Sequence, residues 1–208
     1  MLNSNAGAKL LGDIGQLIWV AWSNFLFKKL ERFNTEVDES DKVKNIDDIA
    51  YLVRKLYSKF KYTKDGADQF YDAIVPPPET YKRYREGLLK DDCDGFHSLV
   101  YHCLKASGFQ CYLLITHSVK SGHCTLVFKY QDLWYVCDYT GIYGSTTDLY
   151  TTIEEFNLYF ERTYSPEKPV NYNALIEYNY ETGKFKFLNF DKTITKTRET
   201  NKKEKEAK

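Results

Sequence analysis

Apolar residues recur at helical spacing through the first half of the chain. Intervals of three and four residues predict two long amphipathic helices, a further long helix and one short helix. The two amphipathic helices lie at 13–33 and from about 45 to 60, the short helix at 79–88 and the further long helix at 93–106. Three consecutive prolines, 76–78, precede the short helix and are expected to form a stiff extended connector. Ser107 and Gly108 supply a stop signal for the 93–106 helix.

Beyond Gly108 the apolar residues alternate with polar ones, which is the period of a strand. The predicted strands lie at 109–116, 123–130, 133–139, 175–180 and 184–190. The second and third are close enough to form a hairpin around Gln131 and Asp132, and the last two form another. A short helix is expected at 152–160. Helices followed by an antiparallel sheet predict an α+β fold.

Residues 1–44 are expected to form a helical extension and a linker. An apolar stripe on the 13–33 helix either packs against the body of the chain or docks to a partner or a membrane surface. The stripe consists of Ile14, Leu17, Ile18, Ala21, Trp22, Phe25 and Phe33. Residues 34–44 are polar and indicate a linker. Residues 45–190 then form the main domain, and the charged residues 191–208 a disordered tail.

The composition limits the class of protein. A chain of 208 residues fits one domain of ordinary size. A formal net charge of +0 gives no electrostatic footprint for nucleic acid, so we expect none to bind. Five cysteines are an odd number in a chain without a recognisable signal peptide. Both features favour reduced thiols and a cytoplasmic location.

Cys93 is the first candidate for chemistry. It begins the 93–106 helix within the segment DDCDGFHS, where Asp91 or Asp92 can cap the helix. A helix N-terminus and a neighbouring imidazolium both favour the thiolate, which is the attacking form of cysteine. Cys93 precedes Phe96 by three residues and Val100 by seven. This spacing directs the thiol toward the seam between the helix and the sheet.

The hairpin offers a base and an orienting carboxylate. If its loop covers residues 129–132, His123 lies directly opposite Asp138, and if only residues 131–132 turn, the two are diagonal neighbours. Either register puts both side chains on one face of the sheet. A cysteine at a helix start that faces a His–Asp pair is the arrangement of a nucleophile, its base and an orienting group.

Three ordered segments resemble the transglutaminase-like superfamily. DDCDGFHSLVYHCLKASGFQCYLL, at 91–114, is similar to that family's nucleophile helix and the strand after it. SGHCTLVFKYQDLWYVCDYTG, at 121–141, resembles its second and third segments, in which Gly-His opens a strand and a Trp precedes an Asp on the next. FKYTKDG and VPPPETYKRYREGLLKDDCDG resemble the lead-in of bacterial transglutaminase-like cysteine peptidases. The resemblance covers roughly residues 45–145.

The resemblance implies a papain-like core, in which the helix carrying the nucleophile packs on an antiparallel sheet. Cys93 would be the nucleophile, His123 the base and Asp138 the orienting group, while Asp92 and Trp134 would support the substrate site. The implied activity is hydrolysis of amide bonds in a protein or peptide substrate through a thioester, and we expect no cofactor and no metal. Acyl transfer to an amine, or a catalytically silent binding domain of the same fold, are the alternatives.

Two features depart from the family pattern. Asp91 occupies the position before the acid–Cys pair where the family usually has glycine, and three carboxylates around Cys93 disfavour a thiolate. The sequence assigns the backbone N–H of Cys93 as one donor to an oxyanion, but it does not assign the second donor.

Other histidines are weaker candidates. His97 is four residues after Cys93 and could act as a rival base or a metal ligand. We expect it instead at the solvent edge, because no orienting carboxylate is evident for it. His102 and His117 have no paired motif and are expected to be surface or structural residues.

The remaining cysteines of the predicted strands raise the question of a zinc site. Cys111, Cys124 and Cys137 are spaced by thirteen residues, and in one hairpin register Cys124 faces Cys137. The paired C-x₂₋₄-C pattern of zinc sites is missing from the sequence, so buried thiols are the better interpretation.

Overall fold

A computed structural model of the chain describes residues 17–18, 20–26, 36–63, 74–118, 122–164 and 170–188. The helices are 17–18 with 20–26 (α1), Ile46–Tyr57 (α2), Pro77–Arg85 (α3), Cys93–Ala106 (α4) and Leu149–Tyr164 (α5), and a 3₁₀ turn covers Glu39–Asp41. The strands are Lys61–Tyr62 (β1), Lys90–Asp91 (β2), Gln110–Ser118 (β3), Gly122–Tyr130 (β4), Leu133–Asp138 (β5), Gly141–Thr146 (β6), Val170–Asn179 (β7) and Lys184–Leu188 (β8).

A six-stranded sheet, in the order β6-β5-β4-β3-β7-β8, forms the centre of the fold. All of its neighbouring strands run antiparallel. The two short strands β1 and β2 pair in parallel as a separate ribbon. The predicted α+β class is therefore confirmed.

Helices cover both faces of the sheet, because its side chains alternate between two apolar clusters. On one face α4 packs against β3 and β4, and its Phe96 and Leu99 share a cluster with Leu126 of β4. On the other face α5 packs against β5 and β6, and its Phe156 shares a second cluster with Val127. The core therefore has three layers, with α4 and α5 separated by the sheet.

Capping residues explain where two of the helices begin. The Asn45 side chain accepts a hydrogen bond from Asp48 N at 2.9 Å at the start of α2, and Asp92 caps α4 in the same manner. Gly108 takes a φ of +84° just after α4, as the stop signal predicted.

The three prolines do not form the extended connector that we expected. Pro77 and Pro78 occupy the first turn of α3, and only Pro76 keeps an extended backbone before it. The first helical residues have no intrahelical acceptor for their N–H groups, so proline is tolerated there.

The N-terminal helix does not bury the predicted apolar stripe against the body of the chain. Leu17, Ile18 and Phe25 are exposed, whereas Val20 and Ser23 are buried. Polar contacts hold the described part of α1 to the body. The Asn24 side chain exchanges two hydrogen bonds with the backbone of Phe185 in β8, and Ser23 Oγ accepts one from Ile74 N. Ile14 and Phe33 of the stripe lie outside the described residues.

The polar stretch predicted as a linker is packed where the structure describes it. Asp41 is 3% exposed, forms an ion pair with Lys55 at 2.6 Å and accepts a hydrogen bond from the Tyr81 hydroxyl at 2.9 Å. Val43 N donates to Ser107 Oγ, which ties the same stretch to the end of α4. Polar composition indicated a linker, but here the polar groups make buried contacts. The predicted tail lies outside the described residues.

No helix in the described ranges has both the length and the apolar character required to cross a membrane.

A two-residue turn sets the register between β4 and β5. Leu126 pairs with Cys137, and the ladder runs to Tyr130 opposite Leu133, so only Gln131 and Asp132 turn. Both have positive φ values, 48° and 65°, as a type I′ hairpin turn requires. Cys137 therefore lies opposite Leu126 and not opposite Cys124, which removes the pairing on which a zinc site depended.

We expect the hairpin turn to be a place where stability can be gained. Gln131→Asn combined with Asp132→Gly should stabilise the protein by about 1 kcal/mol, because Asn-Gly adopts the left-handed conformation at lower cost. Denaturant unfolding measures this change. Asp132→Pro, whose ring fixes φ near −65°, should destabilise the protein instead. Equal stability of the two variants would contradict the assigned turn.

Candidate active site

Cys93 is the first residue of α4, and the segment before it is held on two sides. Asp92 Oδ1 accepts a hydrogen bond from Asp94 N at 3.2 Å and so caps the helix. Thr63 N donates to the carbonyl of Asp91 at 2.9 Å beside the β1–β2 ribbon. The thiol thus lies at the positive end of the helix dipole, as the sequence predicted.

Gly95 makes room for the unusual acid at position 91. A Cβ added at Gly95 would clash with the Asp91 carboxyl group and lie 2.5 Å from Asp91 Cβ. The Asp91 side chain therefore lies against the first turn of α4, where a carboxylate interacts favourably with the helix dipole. Asp91 Oδ1 also accepts a hydrogen bond from Asp92 N at 3.0 Å.

His123 and Asp138 are in contact. His123 Nε2 lies 3.0 Å from Asp138 Oδ1, and Tyr139 N donates to the same oxygen at 2.8 Å. Asp138 is fully buried. Burial opposes its ionisation, but the hydrogen bond to His123, the charges of His97 and His123 and the Tyr139 N–H together lower the pKa of Asp138. With Nε2 bound to the carboxylate, Nδ1 of His123 is the nitrogen that can exchange a proton with a nucleophile.

Cys93 packs against the cluster between α4 and the sheet, whereas the His123–Asp138 pair has the parity of the face under α5. His123 has the parity of Val127, and Asp138 has the parity of Val136, and both valines pack under α5. The β4–β5 ladder begins only at Leu126.

Two residues before that ladder begins, Cys124 N donates a hydrogen bond to Cys93 Sγ at 3.3 Å. The start of α4 and the start of β4 are therefore joined directly through the sulfur. A backbone N–H aimed at sulfur favours the charged form of a thiol.

His97 is a buried member of the site, and our expectation of a solvent-edge position is wrong. Its side chain is 0% exposed, and Nδ1 lies 2.7 Å from the Cys93 carbonyl oxygen. A carbonyl only accepts hydrogen bonds, so Nδ1 carries the proton. Nε2 then faces Asp138 Oδ1 at 3.7 Å. Burial lowers the pKa of His97 to about 4, against the opposing effect of Asp138. His97 is thus a neutral side chain that is anchored to the Cys93 carbonyl through Nδ1, while its unprotonated Nε2 makes no hydrogen bond among the described residues.

Sequence reasoning missed the role of His97 because its carboxylate partner is 41 positions away along the chain. A helical repeat shows which residues share a helix face, but it does not show which strand end that face meets.

Aromatic rings enclose the site. The Tyr139 ring contacts Phe96 and His97 with centroids 4.9 Å apart in each case, and it contacts His123 at 5.8 Å. Phe160 of α5 stacks on the other side of His123 at 5.8 Å. These rings keep the imidazole in a largely apolar environment, with 11% of its side chain exposed.

Trp134 is not brought to this cluster. It lies at the opposite end of β5 from Asp138, about 13 Å away at ~3.3 Å per residue, and its ring stacks on Tyr112. A Trp four residues before Asp on one strand shares its face but lies two same-face positions away along the strand. Tyr139 is the aromatic residue that the structure places next to Asp138.

The remaining cysteines are buried free thiols, as expected. They are Cys103, Cys111, Cys124 and Cys137. Within the described part of the chain, the group of three side chains close enough to hold a metal ion is acidic. Oxygens of Asp91, Asp92 and Asp94 all lie within 4.8 Å of one another. Oxygen ligands of this kind suit hard cations and not zinc.

Comparison with known proteins adds little to this geometry. No protein family and no curated protein matches the sequence. A solved structure described as a candidate cysteine protease, from Cytophaga hutchinsonii, is 11% identical over 74% of this chain, with a TM-score of 0.37. This chain covers 49% of that protein, which is about half of its length. A similarity of this size carries no argument about fold or activity.

The contact between Gly95 and Asp91 can be tested by a double-mutant cycle. Gly95→Ala should destabilise the protein by about 1–3 kcal/mol, because the new methyl group overlaps the Asp91 side chain. In an Asp91→Gly background the same change should stabilise it by about 0.5–1 kcal/mol, since alanine is the better helix former. Denaturant unfolding measures both. Additive effects in the cycle would show that the two positions do not touch.

Burial of neutral His97 predicts acid sensitivity. The unfolded chain binds a proton at this residue near pH 6.5, whereas the folded protein binds it only near pH 4, so stability falls as the pH drops through this window. The loss from this residue is roughly 3 kcal/mol. His97→Gln should flatten the stability-against-pH curve by that amount.

His102→Gln is the matched control. Burial also lowers the pKa of His102 to about 4, so this variant should flatten the curve similarly while leaving the Cys93 site untouched. Wild-type acid sensitivity in His97→Gln would contradict the assignment of a buried neutral imidazole.

Proposed function

We propose that the protein is a thiol hydrolase that cleaves amide or peptide bonds. Cys93 acts as the nucleophile, His123 as the base and Asp138 as the orienting group, within a papain-like, transglutaminase-like core. Asp92 supports the site by holding the start of α4. The substrate is a protein or peptide, and the chemistry needs no cofactor.

The proposed reaction proceeds through a thioester. The Cys93 proton passes to His123 Nδ1, and the thiolate attacks the amide carbonyl carbon, whose π electrons move to oxygen. When the C–N bond breaks, the imidazolium gives its proton to the leaving amine. His123 then takes a proton from water, hydroxide attacks the thioester, and the thiol leaves with the proton returned to it.

The contact that carries this proposal is the His123–Asp138 hydrogen bond at 3.0 Å, next to a thiol that accepts the Cys124 N–H. A buried carboxylate on Nε2 orients the ring and stabilises its protonated form. Supporting features are the helix N-terminus beneath Cys93 and the second N–H donor on Asp138.

Two other functions use the same residues. An amine in place of water as acceptor would make the protein an acyl transferase. A domain in which Asp91, Asp92 and Asp94 suppress the thiolate would be a silent binding module. His123 is hydrogen-bonded to Asp138, and Cys93 Sγ accepts a backbone N–H, which favours catalysis over silence.

Alkylation by iodoacetamide across pH tests the proposal. We expect Cys93 to be alkylated at a pH well below ~8.5, where an ordinary thiol is still protonated and unreactive. The His123→Ala variant should lose this reactivity. The other four thiols are at most 3% exposed, so mass spectrometry of the folded protein should find the label on Cys93.

His117→Ala is the matched control, since it removes a histidine from the neighbouring strand β3 and should leave alkylation unchanged. Modification of Cys93 only at alkaline pH in the wild type, or unchanged reactivity in His123→Ala, would refute the proposed enzyme. A separate sample that has not been alkylated, supplied with an acyl donor and a primary amine, distinguishes the two reactions: transfer yields the amide of the added amine, and hydrolysis yields the free acid.

A further inference from the structure

Tyr139 follows Asp138, the last residue of β5, in the turn toward β6. Asp138 has the parity of Val136 under α5, whereas Tyr139 packs against the cluster under α4. The ring of Tyr139 therefore reaches the first turn of α4, where it contacts Phe96. Its backbone N–H meanwhile donates to Asp138. One residue thus touches both halves of the proposed site.

The hydroxyl of Tyr139 is enclosed without a hydrogen-bond partner among the described residues. Its ring is held by Tyr57, Phe96 and His97 and is not free to swing into water. Burying a hydroxyl in this way is costly, and such a group in a native protein calls for an explanation.

The hydroxyl lies in the electrostatic range of the nucleophile. Burial raises the pKa of Tyr139, and after burial the charge of Cys93 is the strongest cause of the same rise, with Cys124 and Asp92 also contributing. The group is therefore a neutral O–H donor at any physiological pH. It makes no hydrogen bond to the sulfur in the resting protein.

We propose that the Tyr139 hydroxyl is the second donor to the oxyanion, paired with the backbone N–H of Cys93. This inference rests on the proposed function, because it assigns a catalytic residue to that reaction. A donor aimed at charge that develops only during reaction has no acceptor beforehand, which accounts for its lack of a partner.

The step that it assists is the attack on the acyl carbon. The Cys93 thiolate forms the C–S bond, and the π electrons of the C=O bond move to oxygen. Tyr139 donates a hydrogen bond to that oxygen and keeps its own proton. When the leaving group departs with its bonding electrons, the C=O bond re-forms and the hydrogen bond weakens.

Other tyrosines near the site fit this role less well. Tyr57 and Tyr62 are 46% and 55% exposed. Both rings pack against Tyr139 from outside, at 5.3 and 6.4 Å. Both side chains are accessible to water, whereas an oxyanion donor is most effective where water is excluded.

Two thiol reactions separate a role at the oxyanion from a role at the thiolate. Acylation by p-nitrophenyl acetate passes through an oxyanion, whereas alkylation by iodoacetamide does not. Tyr139→Phe should slow acylation of Cys93 on the order of 100-fold and change alkylation at the same pH by less than about threefold. Its melting temperature should equal or exceed that of the wild type, because the variant removes only an unpartnered hydroxyl.

Tyr143→Phe is the matched control. It removes a tyrosine hydroxyl from the next strand, where that group is bound to Thr140 and Tyr159, and it should leave both rates unchanged. Wild-type acylation in Tyr139→Phe would overturn the inference and leave the thiol enzyme standing. Equal slowing of acylation and alkylation would also overturn it, because the hydroxyl would then act on the thiolate. Slow alkylation of wild-type Cys93 at neutral pH would remove the proposed function and the inference together.

Discussion

The hydrogen bond from the Cys124 amide to Cys93 Sγ ties the start of α4 to the start of β4. α4 lies on one face of the sheet, and the parity of His123 and Asp138 belongs to the other face. The sulfur contacts β4 two residues before the β4–β5 ladder begins at Leu126, beside His123 in the chain. His97 adds a second contact at this point, since Nδ1 donates to the Cys93 carbonyl and its ring packs against His123. The site thus depends on where the start of α4 meets the start of β4.

The sequence predicted the parts of the site that depend on local periodicity. The cap at Asp92, the strands that carry His123 and Asp138 and their common face all follow from spacing. Register could be narrowed to two alternatives, and the positive φ values of Gln131 and Asp132 select the shorter turn. Local chemistry was therefore sufficient wherever the contacting residues were close along the chain.

Contacts between distant segments could not be predicted in this way. The burial of His97 depends on where the end of β5 meets α4. Trp134 shares a strand face with Asp138, but the distance along β5 keeps it away from the site. Packing on the body, one of the two expectations for the apolar stripe of α1, is wrong for Leu17, Ile18 and Phe25, because polar contacts through Ser23 and Asn24 hold that helix. Docking of the stripe to a partner or a membrane surface stays a prediction. Polar residues that bind each other resemble a solvated linker in sequence, as Asp41 shows.

The two-residue turn after β4 also limits how this protein can vary through evolution. Insertion of one residue there would move Asp138 to the opposite face from His123 unless a bulge absorbed it, so viable changes of length come in steps of two. The turn between Asn179 and Lys184, which joins β7 to β8, is restricted only by packing, which keeps Phe185 buried, because neither strand contributes to the proposed site. Among related chains, the length of the β7–β8 turn should therefore vary more than that of the β4–β5 turn. The length of the short exposed β4–β5 turn would then indicate whether a buried His–Asp pair lies at the other end of its hairpin.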